Sequence, residues 1–194
     1  MARKVDMTRF VTDARKRAEI LDILNFGRQV GVGEQAPLFE LRTPSGGLIR
    51  LADLRGKNVV FMFAAMTCPP ARAQMPRLEE LHSKYNPEDV VFFVVYSRDR
   101  HPGEPGYRAF SLATTNAEKI AHARMFGQLT SLPVAVDDIE ESTLGLYGNV
   151  PNSAYVIDRG GTIVFRSTWA DSRKIEQVLD ALLESQARLA AGAR

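Results

Sequence analysis

A single cysteine stands in the 194 residues, and its neighbours are those that can make a thiol reactive. Cys68 follows the apolar run Val59-Val60-Phe61-Met62-Phe63-Ala64-Ala65 and precedes Pro69 and Pro70. Met75, Leu78, Leu81 and Tyr85 then recur at helical spacing. An unbroken apolar run of this length reads as a strand buried on both faces. Proline suits the first helical turn, where its missing N–H leaves no hydrogen bond unmade. Cys68 is thereby placed at a helix N-terminus, at the carboxyl end of a central strand. Orphan backbone N–H groups and the helix dipole favour an anion there, which draws a thiol toward the nucleophilic thiolate. Arg72, about one turn further on, adds positive potential. A lone cysteine is more often a small buried apolar side chain; strand, prolines and helix together favour the reactive thiol.

The elements that must position this turn follow in order. Phe10, Ala14, Leu21 and Leu24 share one face of a helix expected over residues 8–26, which packs on the domain or pairs two copies in preference to resting on an acidic partner. A linker from Gly27 to Gly33 follows. Phe39 and Leu41 alternate with polar neighbours, Thr43 to Gly47 make a turn, and Leu48, Ile49 and Leu51 form a second strand. Leu51 to Lys57 reads as a helical turn, and the helix after Cys68 ends near Asn86-Pro87. Val90 to Tyr96 is a second buried strand. It opens into a Gly- and Pro-rich loop, Ser97 to Tyr107, and such loops are where open α/β sheets place their sites. A helix over 117–126 and a strand at Pro133 to Val136 come next. A further helix is expected to open at Asp138, with Asp138 as N-cap and Glu141 three positions later. Pro151 leads into strand Ala154 to Ile157, Asp158-Arg159-Gly160-Gly161 turns into Thr162 to Phe165, and Ile175, Val178, Leu179, Leu182 and Leu183 mark a last helix.

Composition narrows the function classes. At 45% hydrophobic and 25% charged residues with a net charge of +2, the chain has the make-up of a globular domain and no electrostatic case for nucleic acid or membrane binding. One cysteine allows no intramolecular disulfide. No stretch approaches the ~20 apolar residues of a membrane span, and the N-terminus lacks the apolar core of a signal peptide, so a cytoplasmic location is expected. Carboxylates at Asp137, Asp138, Glu140 and Glu141 read as helix capping and solvation, and no metal site is expected.

Strand, helix, strand, helix, proline, hairpin and final helix describe a thioredoxin-like α/β fold, a central mixed sheet flanked by helices, with an N-terminal helical extension. The expected organisation is an extension over 1–31, the domain over 32–186 and a tail over 187–194 that frays. Pro151 stands where that fold usually carries a cis-proline facing the active thiol.

From Val32 to about Leu183 the chain resembles the redoxin superfamily, and within it the iodothyronine deiodinases and their bacterial soluble relatives. Thr67-Cys68-Pro69-Pro70 is similar to that family's Thr-Sec-Pro-Pro, with cysteine for selenocysteine. Tyr96 with His101-Pro102 resembles its Tyr…His-Pro loop, Pro133 to Asp137 its Pro-Val-Val-hydrophobic-Asp stretch, and Tyr147 to Pro151 with Tyr155-Val156-Ile157 its Tyr-x-x-x-Pro segment. The resemblance implies Cys68 as nucleophile with Thr67 and His101 as helpers, and Pro69, Pro151, Tyr96 and Arg72 around the substrate. Thr67 can donate its hydroxyl hydrogen to a thiolate or leaving group, and a histidine at 101 can carry a proton near neutrality. His82 and His122 are given no role. The implied reaction is reductive deiodination of a small halogenated substrate, with no cofactor beyond an external thiol, a small thiol or a thioredoxin.

Ser153 stands where the family's Pro-Glu-Arg segment has arginine, and Met66 where an auxiliary cysteine often stands. Cys68 therefore relies on an outside thiol or a second subunit for regeneration. A one-cysteine peroxidase is the alternative, although a peroxiredoxin turn needs proline at Phe61 and threonine at Ala65. A thioredoxin-type pair needs cysteine at Ala71, and a glutathione peroxidase glycine at Pro69. A third reading is a non-catalytic binding protein, with a homodimer formed through the N-terminal helix.

Overall fold

The computed structural model describes residues 21, 23–26 and 29–192. Its strands form one mixed sheet in the order β2-β1-β5-β4-β3-β6-β7. Strands β1 (Glu40–Arg42) and β2 (Leu48–Arg50) make an edge hairpin, and β1 meets β5 (Val134–Val136) through Arg42 and Val136. Strand β3 (Asn58–Ala64) runs parallel to β4 (Val90–Tyr96), and β4 parallel to β5. On the other side of β3, β6 (Ala154–Ile157) and β7 (Ile163–Ser167) add as antiparallel strands. Parallel neighbours need crossovers. Helix α1 (Pro69–Lys84) supplies the first, α2 (Asn116–Gly127) the second, while the short α3 (Ser142–Leu146) precedes β6 and α4 (Ser172–Gly192) follows β7.

All seven residues of β3 are buried, as its unbroken apolar run predicts. Alternate side chains serve opposite layers. Val60, Met62 and Ala64 pack with Met75, Leu78 and Leu81 of α1 and Ile175 and Leu179 of α4. Val59, Phe61 and Phe63 face an aromatic layer with Phe39, Phe93, Tyr147 and Tyr155. Phe61 lies at its centre, with ring centroids 5.1 Å from Tyr147 and 5.2 Å from Tyr155. Lys84 and Arg77 of α1 pair with Glu176 of α4, linking the two helices.

Three local expectations are corrected. The helix expected to open at Asp138 begins at Ser142, and Glu141 precedes it with φ 60° instead of closing a capping box. Buried Asp137, one residue earlier, takes the N–H groups of Thr143 and Leu144, and Asp138 takes that of Ser142. These bonds commit both carboxylates to the start of α3. Pro151 is not cis: no cis peptide occurs among the described residues. It sits second in a turn closed by Ser153 N–H donating to the Val150 carbonyl at 3.1 Å, a position that accepts trans proline, whereas cis proline belongs one place later. The tail expected to fray from Ala187 is helical, since α4 runs to Gly192. Gln186 and Asn58 exchange two side-chain hydrogen bonds that tie that end of α4 to β3.

The proposed face Phe10 and Ala14, and with it any dimer through that helix, lies outside the described residues. Leu21 and Leu24 are exposed, whereas Phe26 is buried against Tyr155 under the Arg166 guanidinium. Gly148 has φ 109°, and a Cβ there would meet the Phe26 ring at 3.0 Å. The end of the extension is thus part of the domain's aromatic layer.

Candidate active site

Strand β3 delivers Thr67 and Cys68 to the carboxyl edge of the sheet, where the chain turns into α1. Cys68 is the N-cap of α1 in extended conformation, with proline at the first two helical positions. The Arg72 N–H bonds to the Cys68 carbonyl at 3.1 Å, so the cysteine joins the first helical turn. Its side chain lines a small pocket of about 100 Å³. Pro70, His101, Val150, Pro151, Asn152 and Trp169 are among the walls, and Ile23 of the N-terminal segment closes one side. His101 Nδ1 lies 3.0 Å from Glu104 Oε2 on the exposed face of the Gly-rich loop, where Gly103 and Gly106 both take positive φ.

Behind Cys68 lies a polar network that the sequence reading missed. Asp99, 2% exposed, accepts hydrogen bonds from the Thr67 hydroxyl at 3.0 Å, the Thr67 N–H at 3.3 Å and the Tyr96 hydroxyl at 3.0 Å. Its second oxygen lies 3.0 Å from His122 Nδ1, and the His122 ring rests on Phe110 at 4.6 Å. The Tyr96 hydroxyl also accepts the Met66 N–H at 3.3 Å. Burial, then the Asp99 charge, pushes the Tyr96 hydroxyl pKa well above the ordinary range, so it stays a proton donor.

The geometry redistributes the expected roles. Cys68, His101 and Pro151 share the pocket. Thr67 is fully buried, and its hydroxyl hydrogen goes to Asp99 instead of toward a thiolate, because a carboxylate is the stronger acceptor. Thr67 reaches the loop by accepting the His101 N–H at 3.4 Å. Tyr96 is also fully buried and supports Asp99, away from any substrate. Pro69 and Arg72 are exposed and are not part of the pocket wall; Pro70 takes the place given to Pro69. His122, given no role from sequence, is the histidine that reaches the buried acid. A readable signal did exist: Lys119 and His122 fall three apart, beside the apolar positions Ile120, Ala123 and Phe126 of α2. Polar residues at helical spacing next to a buried face mark an interior polar contact.

A second charged cluster braces the loop from the other side. Glu141 accepts the Arg98 N–H at 2.5 Å, pairs with Arg100 at 3.2 Å, and lies 3.9 Å from Lys119 Nζ. Lys119 is 2% exposed and donates to the Asp138 carbonyl, and its burial lowers its pKa.

A mixed sheet flanked by helices, with a cysteine capping the helix after a central parallel strand, defines a thioredoxin-like thiol protein. Residues 32–166 match the family model described as AhpC/TSA, and the chain belongs to that redoxin family. The thiol-disulfide oxidoreductase ResA of Geobacillus thermodenitrificans is 32% identical over 135 residues, 69% of this chain and 67% of that protein. The thioredoxin-like protein YneN of Bacillus subtilis is 37% identical over 86 residues, 43% of this chain and half of that protein. Among solved structures, a putative thiol:disulfide interchange protein DsbE from Chlorobium tepidum superposes with a TM-score of 0.59 at 24% identity. The match covers 80% of this chain and 99% of that one, and shows the fold. These relatives carry thiol–disulfide or thioredoxin-like names and lend no support to the narrower deiodinase likeness suggested by Thr67-Cys68-Pro69-Pro70.

Proposed function

We propose that this protein is a one-cysteine thiol oxidoreductase in which Cys68 exchanges with external thiols and disulfides. The observation that carries the reading is Cys68 at the N-cap of α1, opening on a pocket shared with His101 and Pro151. Family membership and the thiol–disulfide relatives support the general kind of chemistry. Buried Ala71 occupies the position of a second cysteine, so the chemistry is that of a single sulfur.

Cys68 as thiolate attacks one sulfur of a disulfide, forming a protein mixed disulfide and expelling the other half as thiolate. A second external thiolate then attacks that bond, releasing Cys68. Two thiols are oxidised to a disulfide as the original disulfide is reduced to two thiols, so electrons balance without a cofactor. Pro69 and Pro70 carry no N–H, which leaves Ala71 N–H as the first backbone donor that α1 offers a thiolate. The helix dipole adds to it, while the Asp99 carboxylate beyond Thr67 opposes a second negative charge. Asp99 and His122 hold Thr67, and through it the turn, in place.

The thiol reductant is a small thiol or a thioredoxin. A second reading, dehalogenation, rests on His101 lining the same pocket, where it can protonate the carbon that loses iodine. The test measures mixed-disulfide formation by intact mass and thiol-dependent disulfide turnover, beside iodide release from an iodinated aromatic. Cys68→Ser should abolish turnover with the fold intact. Residual thiol-dependent turnover in that variant would sink the mechanism. Iodide release that outpaces disulfide exchange would favour the second reading.

A further inference from the structure

Asn152 is the residue of the Cys68 pocket whose chemistry the disulfide exchange leaves unused. It follows Pro151 in the turn before β6 and is 3% exposed. Its backbone carbonyl accepts the Ala170 N–H at 3.0 Å, which fixes the residue against the segment carrying Thr168 and Trp169. Its carboxamide is different. Both Nδ2 and Oδ1 are buried and have no hydrogen-bond partner among the described residues. Buried polar side chains are nearly always paired, and one that is not calls for an explanation. A leucine of the same branched shape would fill the space without desolvating a donor and an acceptor together. The polar groups behind Cys68 are paired by contrast: Thr67, Tyr96 and His122 on Asp99, and the Arg98 N–H on Glu141.

We propose that the Asn152 carboxamide is the specificity element of the Cys68 pocket and recognises an amide group beside the reacting sulfur of the substrate. The inference rests on the thiol-exchange reading above and names its substrate class. A carboxamide offers one donor face and one acceptor face, and the group that satisfies both at once is another amide, as in a cysteinyl peptide or its derivative. Trp169, half exposed, and Pro151 supply apolar surface for the remainder of such a molecule. The carboxamide is shielded from solvent, so it meets substrate by turning about χ2, a soft torsion for asparagine. A site built to hydrogen-bond a substrate group discriminates against analogues lacking it, because its own buried polar atoms then stay unpaired.

The experiment uses the full chain and two disulfides, that of N-acetylcysteine methylamide, which bears amides next to sulfur, and that of 2-mercaptoethanol, which has none. Mixed-disulfide formation at Cys68 is followed by intact mass. Each rate is divided by that of a free small thiolate with the same disulfide, which removes the leaving-group difference. The expected normalised preference for the amide-bearing disulfide is about tenfold, the worth of one hydrogen bond. In Asn152→Leu that preference should fall to about one while Tm rises, a combination that a merely structural asparagine does not give. A preference near one in the unaltered protein overturns the proposal and leaves thiol exchange standing. An unchanged preference in Asn152→Leu, or in Asn152→Ala if the leucine variant does not fold, overturns it as well. Failure of both disulfides to react with Cys68 overturns the exchange reading and this inference with it.

Discussion

Replacing Asp99 with alanine tests the buried network most directly. Its carboxylate accepts the Thr67 N–H, the Thr67 hydroxyl and the Tyr96 hydroxyl, and it faces His122 Nδ1. Thr67 and Tyr96 are fully buried, so alanine leaves three donors that solvent does not reach. A stranded buried donor costs about 1–3 kcal/mol, and a water entering the vacated space recovers part of that. The expected loss is about 3–5 kcal/mol, a large share of a domain's typical 5–15 kcal/mol. Asparagine keeps the shape and one oxygen. That oxygen can still serve both Thr67 donors, while its amide nitrogen donates to the Tyr96 oxygen, and the expected cost falls to about 1–2 kcal/mol. Urea unfolding midpoints of the two variants, compared at unchanged slope, measure the difference. Both variants also remove a negative charge beyond Thr67, so the pH at which Cys68 alkylates half-maximally should move down. An alanine cost below about 1 kcal/mol, or equal costs for the two variants, refutes the claim that these donors depend on one ionised acceptor.

Two further expectations follow from the packing. Tyr96, Tyr147 and Tyr155 are fully buried, and burial pushes each hydroxyl up, Tyr155 to about 12. Raised above the ~10 of an unfolded tyrosine, these groups keep their protons in the folded state, so their contribution is intact below pH ~10 and is lost as pH climbs toward the folded values. An unfolded tyrosine is half ionised at pH ~10, so each group gives about 1 kcal/mol and the three a loss of about 3 kcal/mol between pH ~10 and ~11, and an unfolding free energy that stays flat there refutes the assignment. Buried Lys119 is shifted the opposite way, so its effect on stability rises with pH only up to the ~10.4 of an unfolded lysine. Phe26→Ala should cost about 3 kcal/mol, since the ring packs on Tyr155 and under Arg166. It should also speed Cys68 alkylation, because Ile23 three residues upstream walls the pocket. An unchanged alkylation rate in that variant would show that the N-terminal segment does not guard the thiol.

The legible parts of this protein are those settled by neighbouring residues. Seven consecutive apolar residues leave β3 no solvent-facing side, and Pro69-Pro70 can begin a helix but cannot continue a strand ladder, so the place of Cys68 follows from a dozen residues. The twin apolar runs and the helices between and after them imply parallel strands with crossovers, and so the fold. Local signals still competed: Thr115-x-x-Glu118 forms the capping box actually made, at the start of α2, while the similar-looking Asp138-x-x-Glu141 does not. There the long-range contacts of Glu141 with Arg98 and Arg100 took its carboxylate away from the helix end.

Tertiary structure alone decided the rest. Thr67 and Asp99 are 32 residues apart and Asp99 and His122 are 23 apart, and nothing in either stretch states that they meet. The family resemblance of the Tyr96…His101-Pro102 loop pointed to His101; packing of α2 brought His122 to the acid instead. The unpaired carboxamide of Asn152 was invisible for the same reason. A residue type reports what hydrogen bonds a side chain can make, and only the assembled surroundings determine which of them are made.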